Sequence, residues 1–126
     1  MKALFDPHLD LLLKKFILLR DENKLEEANK AAEALLRIYP DNKAILLSVG
    51  YFFWDYESIE KAVGIYKHAV DLFPDSKLAS LSYFHVLWKT ANHLEALAEA
   101  ERFISDHDCS EYNELIADLS SGMKNG

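Results

Sequence analysis

The sequence predicts an all-α protein, a single domain over residues 1–126 built from helix–turn–helix repeats. Three observations carry this. First, the chain repeats itself. "IYPDN" ends at Asn42 and "LFPDS" at Ser76, so Pro40 and Pro74 lie 34 residues apart, as do Asp41 and Asp75. Leu12, Leu13, Asp21, Glu26 and Ala28 recur at that interval as Leu46, Leu47, Asp55, Glu60 and Ala62. Lys43, Leu47, Ser48, Trp54, Ala62 and Ser76 recur in a third copy as Lys77, Leu81, Ser82, Trp88, Ala96 and Ser110, with Asp108 in the proline's place. Second, apolar residues within each copy return every three or four positions, the spacing of one helix face. Third, glycine and proline are absent from most of these stretches, and Pro40 and Pro74 stand between them.

Each element follows in order. Asp6-Pro7 starts a helix over 7–21, since an aspartate caps well and proline at the first helical position gives up no needed donor. Further helices are expected over 25–38, 43–55, 59–72, 77–90 and 93–106. Pro40 and Pro74 cannot continue the helix before them and shape the turn instead. The copies run without gaps as 9–42, 43–76 and 77–110. A seventh helix over 111–121 follows Ser110 as its cap, and the tail "SSGMKNG" is expected to fray.

Composition narrows the function. Half the residues are hydrophobic, enough for a real core, and the net charge is −7. No cationic run is longer than Lys14-Lys15. A nucleic-acid or anionic-membrane partner needs clustered positive charge, so neither is expected. One cysteine, Cys109, forbids an intrachain disulfide and fits a reducing compartment. Asp6, Asp10, Lys14 and Lys15 interrupt the apolar N-terminus too often for a signal peptide or a membrane helix. The expected location is the cytoplasm.

The period of 34 with helix–turn–helix units resembles the tetratricopeptide repeat (TPR) family. The middle copy carries the match. Gly50 takes the small position of the first helix, with Phe53 at the aromatic position. Ala62, Tyr66, Ala69 and Pro74 match the second helix and the turn after it. The outer copies trade large for small. Phe16 and Phe84 stand for Gly50, Leu35 and Phe103 for Ala69, and Ala32 and Ala100 for Tyr66. The resemblance implies a right-handed α-solenoid of three repeats and a capping helix. It further implies that the first helix of each pair lines a concave face.

That geometry sorts the apolar residues into columns. Leu13, Leu47 and Leu81 form one; Ile17, Tyr51 and His85 the next; Arg20, Trp54 and Trp88 the third. Arg20, Asp55 and Lys89 fall at the polar edge. Leu12, Leu46, Val49, Phe53, Ile59, Ala62, Tyr66, Tyr83, Leu87, Ala96 and Phe103 fall in the core. The aromatic run "YFFWDY" therefore splits. Phe53 belongs to the core, Tyr51 and Trp54 to the groove, and Phe52 and Tyr56 are left open. Two readings of the groove compete. Its aromatics are core, covered by a tight superhelix or by the segment "MKALF", or they are an exposed interaction surface. Trp and Tyr are typical anchors of such surfaces.

Some TPR proteins hold the C-terminal carboxylate of a chaperone with a Lys/Asn/Arg clamp. Leu13, Ile17, Ser48, Leu78 and Ser82 occupy the corresponding places, so no clamp is expected. The leading expectation is a non-enzymatic module that binds a partner peptide or amphipathic helix in the groove. One alternative is a homodimer formed through the groove or the apolar first helix, whose side looks uncapped. The other is a small chaperone that shields a client helix, as in bacterial secretion chaperones of similar size. No metal motif appears among His93, His107 and Cys109, and Cys109 has no activating neighbour in sequence. No cofactor, metal or catalytic residue is expected. The acidic stretches "LEEANKAAE" and "EALAEAERF" read as solvated faces.

Overall fold

A computed structural model describes residues 6–56 and 58–125, with 119–125 described by backbone alone. The described residues form seven α-helices and no strand: α1 (Pro7–Asp21), α2 (Leu25–Ile38), α3 (Lys43–Asp55), α4 (Ile59–Leu72), α5 (Lys77–Lys89), α6 (His93–Asp106) and α7 (Ser110–Asn125). The chain divides into two compact units, one ending at Ile65 and the next beginning at Tyr66. The first half of α4 belongs to the former and its second half to the latter.

Asp6 caps α1 as expected, and Asn42 and Ser76 cap two further helices. The Asp6 carboxylate accepts from the backbone of His8 at 3.0 Å and Leu9 at 3.3 Å, and Pro7 follows it. Asn42 caps α3 through Ile45 N, and Ser76 caps α5 through Ala79 N. The turns inside the copies share one backbone hydrogen bond. Lys24 N donates to Leu19 O, Ser58 N to Phe53 O and Asn92 N to Leu87 O. These six-to-one bonds close the helix C-terminus, and in the first and third copies a left-handed residue stands just before. Asn23 supplies it at φ 62° and Ala91 at φ 63°. Asparagine takes that conformation readily, whereas alanine is uncommon there. The turns between copies also match. Tyr39, Phe73 and His107 donate to Leu35, Ala69 and Phe103, and the first two precede a proline.

In the first unit Phe16, Leu35, Leu46, Val49, Phe52 and Phe53 are buried, and Phe16 meets Phe52 edge to face at 5.3 Å. Phe52 is thus core, and Tyr56 stacks on it at 5.3 Å. The traded positions are all buried: Phe16, Gly50 and Phe84; Leu35, Ala69 and Phe103; Ala32, Tyr66 and Ala100. Volume lost at one site of a copy is returned at another, as close packing requires. Two expected core residues differ. Leu12 is half-buried because nothing among the described residues lies over its side of α1, and Ile59 is half-buried at the first position of α4.

The second unit holds a polar cluster that corrects the solvated reading of "EALAEAERF". Glu95 and Glu101 are exposed, but Glu99 is only 6% exposed. Ser80 Oγ donates to Glu99 Oε2 at 2.6 Å, and Arg102 grips both carboxylate oxygens at 2.9 and 2.6 Å. Arg102 also donates to the Pro74 carbonyl at 3.1 Å. Ser80 spends its only proton on Glu99, so the Tyr112 hydroxyl must donate to Ser80, at 2.7 Å. Burial pushes the Tyr112 hydroxyl up, which keeps that proton in place. α7 is thereby fixed to α5 and α6 by a paired polar group as well as by the Phe84–Tyr112 contact at 5.4 Å. Two terminal details depart from expectation. α7 starts at Ser110, whose hydroxyl goes to Glu111 at 3.0 Å, and the helix runs on to Asn125 through the tail. Leu115 and Ile116 are half-buried, and Leu119 lies outside the described side chains.

Candidate functional site

The proposed groove residues share one helical spacing. Leu13, Ile17 and Arg20 on α1 sit at i, i+4 and i+7, as do Leu47, Tyr51 and Trp54 on α3 and Leu81, His85 and Trp88 on α5. Val49, Phe52 and Phe53 take the opposite face of α3 into the core. None of the nine candidates is buried. Tyr51 is 61% exposed, His85 is exposed, and the other seven are half-buried.

In the first unit the structure brings some of them together. Arg20 and Tyr51 share a cleft of about 250 Å³ with Asn23, Leu25, Asp55 and Tyr56. A second cleft, of about 220 Å³, is lined by Tyr51, Trp54 and Asp55. Leu13, Ile17 and Leu47 line neither. Arg20 donates twice to Asp21, at 3.1 Å each, and its guanidinium carbon lies 6.0 Å from the Phe16 ring. The segment "MKALF", considered as a cover, lies outside the described residues.

In the second unit Trp88 is partly sheltered. Its ring stacks on Phe84 at 5.8 Å and 15°, and His93 lies 4.2 Å away at the start of α6. His85 touches Phe84 edge-on at 5.4 Å. Sequence reasoning weighed His93 only as a metal ligand. Its place beside Trp88 had no sequence signal beyond its position just after a turn. His107 is engaged elsewhere, 2.9 Å from Asp75 and stacked on Phe103. Cys109 is buried. Among the described residues no group of three or more His, Cys, Asp or Glu is placed to hold a metal.

The sequence matches no protein-family model and no curated protein. Solved structures are more informative. One, a mutant of MamA, aligns over 85% of this chain and 78% of its own, with a TM-score of 0.67 and 14% identity. The fold is a TPR-like helical repeat. At that identity the likeness speaks for the fold alone. Among the described residues no helix is long and apolar enough to cross a membrane.

Proposed function

We propose that the chain is a protein-interaction module that takes a partner peptide or amphipathic helix on the side of the first unit's helices that carries Leu13, Ile17, Arg20, Leu47, Tyr51 and Trp54; in the second unit Leu81, His85 and Trp88 hold the same repeat positions. The three repeats at 9–42, 43–76 and 77–110, capped by 111–121, belong to this reading. One observation carries it: α3 buries Phe52 and Phe53 yet leaves Tyr51 61% exposed beside two clefts. Aromatic surface held out of the core on a rigid helix is what anchors a partner. A buried Cys109 agrees with a reducing compartment such as the cytoplasm.

Truncation tests it. Tyr51→Ala is expected to cost about 0.5 kcal/mol in urea unfolding and Trp54→Ala no more than about 2, against about 3–5 for Phe53→Ala. A Phe53-like loss at both groove positions would make them core and end the reading.

A second reading has its own observation. Leu11 and Leu18 on α1 are 68% and 59% exposed, and with Leu12 and Leu19 they line a cleft of about 570 Å³. Their 34-residue counterparts Ile45, Leu46, Phe52 and Phe53, and Ala79, Ser80, Val86 and Leu87, are all buried. This side of the first helix of a copy is a stacking face, and in α1 nothing among the described residues covers it. A homodimer through α1 would bury it. Sedimentation of the wild type should then give a dimer, and Leu11→Glu with Leu18→Glu a folded monomer. A wild-type monomer at micromolar concentration contradicts this reading.

A further inference from the structure

We propose that the uncovered side of α1 and α2 docks an amphipathic helix that brings carboxylates to it, an acidic partner segment; this is the same face as in the homodimer reading, with a different occupant. Lys15 carries the inference. It stands at i+4 and i+3 from Leu11 and Leu12 and at i−3 and i−4 from Leu18 and Leu19, in the middle of the four leucines. At the same repeat position the other copies bury Val49 and Tyr83. A cleft of about 330 Å³, lined from both α1 and α2, sets Lys15 and Lys30 among Leu12, Leu19 and Ala31, with Glu27 beside them. Lys15 and Lys30 are exposed, and neither has a hydrogen-bond or ion-pair partner among the described residues.

Shape and charge choose the occupant. In α3 the side equivalent to the four leucines receives helices of the preceding copy: Phe16 of α1 meets Phe52 there at 5.3 Å, and α2 packs on α3. A helix therefore fits the same side of α1. Whatever covers the leucines also covers Lys15, and an ammonium taken out of water without a partner is strongly unfavourable. A carboxylate on the docked helix removes that penalty through a charge-assisted hydrogen bond. A two-fold copy centred on the leucines would instead set Lys15 against its own image. The net charge of −7 repels an acidic segment at long range. At about 0.15 M salt that repulsion is screened beyond about 8 Å, and contact with Lys15 and Lys30 decides.

The test uses the whole chain and two synthetic amphipathic helices of leucine, alanine and glutamine. One carries two glutamates beside its leucine face, and its twin has glutamine there. By calorimetry the glutamate peptide is expected to bind about tenfold more tightly than its twin. Lys15→Gln should remove most of that preference and Lys15→Arg should keep it. Leu11→Glu with Leu18→Glu should abolish binding of the glutamate peptide. Lys89→Gln, which deletes an equal charge on α5, and the groove variant Tyr51→Ala, Trp54→Ala should both leave the preference intact. If the preference survives Lys15→Gln, the site is overturned and the groove stands. If it falls equally with Lys89→Gln, it is net charge; if it is lost in the groove variant, the acidic helix sits on α3; either result overturns the site. A wild-type dimer that Leu11→Glu with Leu18→Glu dissociates overturns it in favour of a second copy. Binding to phosphatidylserine vesicles in place of the glutamate peptide overturns it in favour of a lipid surface. If neither peptide binds, this site and the groove reading fail together.

Discussion

Glu111 shows how much one surface carboxylate can reveal. Its carboxylate accepts from Lys77 at 2.9 Å and also from the Ser110 hydroxyl. The Lys77 bond first, then backbone and Ser110 bonds, hold it down to about 2 from an ordinary 4.5. A depressed acid stabilises the fold above its unfolded value and loses that contribution as pH falls through the folded one. The advantage of wild type over Glu111→Gln should therefore be complete above about pH 4.5 and fade as pH falls through about 2, in urea unfolding at low salt. An advantage that persists undiminished at pH 2 would show that the pair is not its source. Glu99 makes the contrasting case. Nothing in "EALAEAERF" separates it from Glu95 and Glu101, because its partner Ser80 lies 19 residues away in sequence. Helical spacing places a residue on a face. It does not say that a serine in an adjacent helix waits to bond it.

Elements were far more legible than such pairings. The boundaries of six helices, read from apolar spacing, Asp6-Pro7 and the two prolines, fall within one residue of those observed. Local rules decide those ends: a cap satisfies an orphan donor, and X-Pro leaves the helical region. α7 escaped the same rules. The signal at Ser110 suggested a cap, but the hydroxyl serves Glu111, and the polar tail stayed helical despite Gly122. α7 is defined by what it touches, Phe84, Phe103 and Ser80 through Tyr112. Tyr112→Phe should cost about 1 kcal/mol in urea unfolding, the worth of its hydrogen bond, since Ser80 keeps Glu99. Tyr112→Ala should cost about 3–5 kcal/mol and detach α7, seen as fast amide exchange along it. Equal, small losses in both variants would mean that α7 docks by other contacts.

At the scale of the molecule, the 34-residue period made the TPR-like fold readable, and the aromatic run at 51–56 pointed to a candidate site. The resemblance to TPR repeats put Tyr51 in the groove and Phe53 in the core; Tyr51 is exposed and Phe53 is buried. It could not place Phe52, whose burial depends on Phe16 of the preceding helix pair. Nor could it show Trp88 sheltered by His93, because turn geometry, not repeat position, sets that contact. The stacking side of α1 was legible as too apolar for solvent, but not in its extent. The central claim is that the aromatic face of α3 captures an apolar helix. The direct measurement is a calorimetric titration of a synthetic amphipathic helix of leucine, alanine and glutamine into wild type and into the double variant Tyr51→Ala, Trp54→Ala, with both folded. Binding to wild type and at least about a tenfold loss in the variant is the expected result. Equal affinity for the two proteins would contradict it.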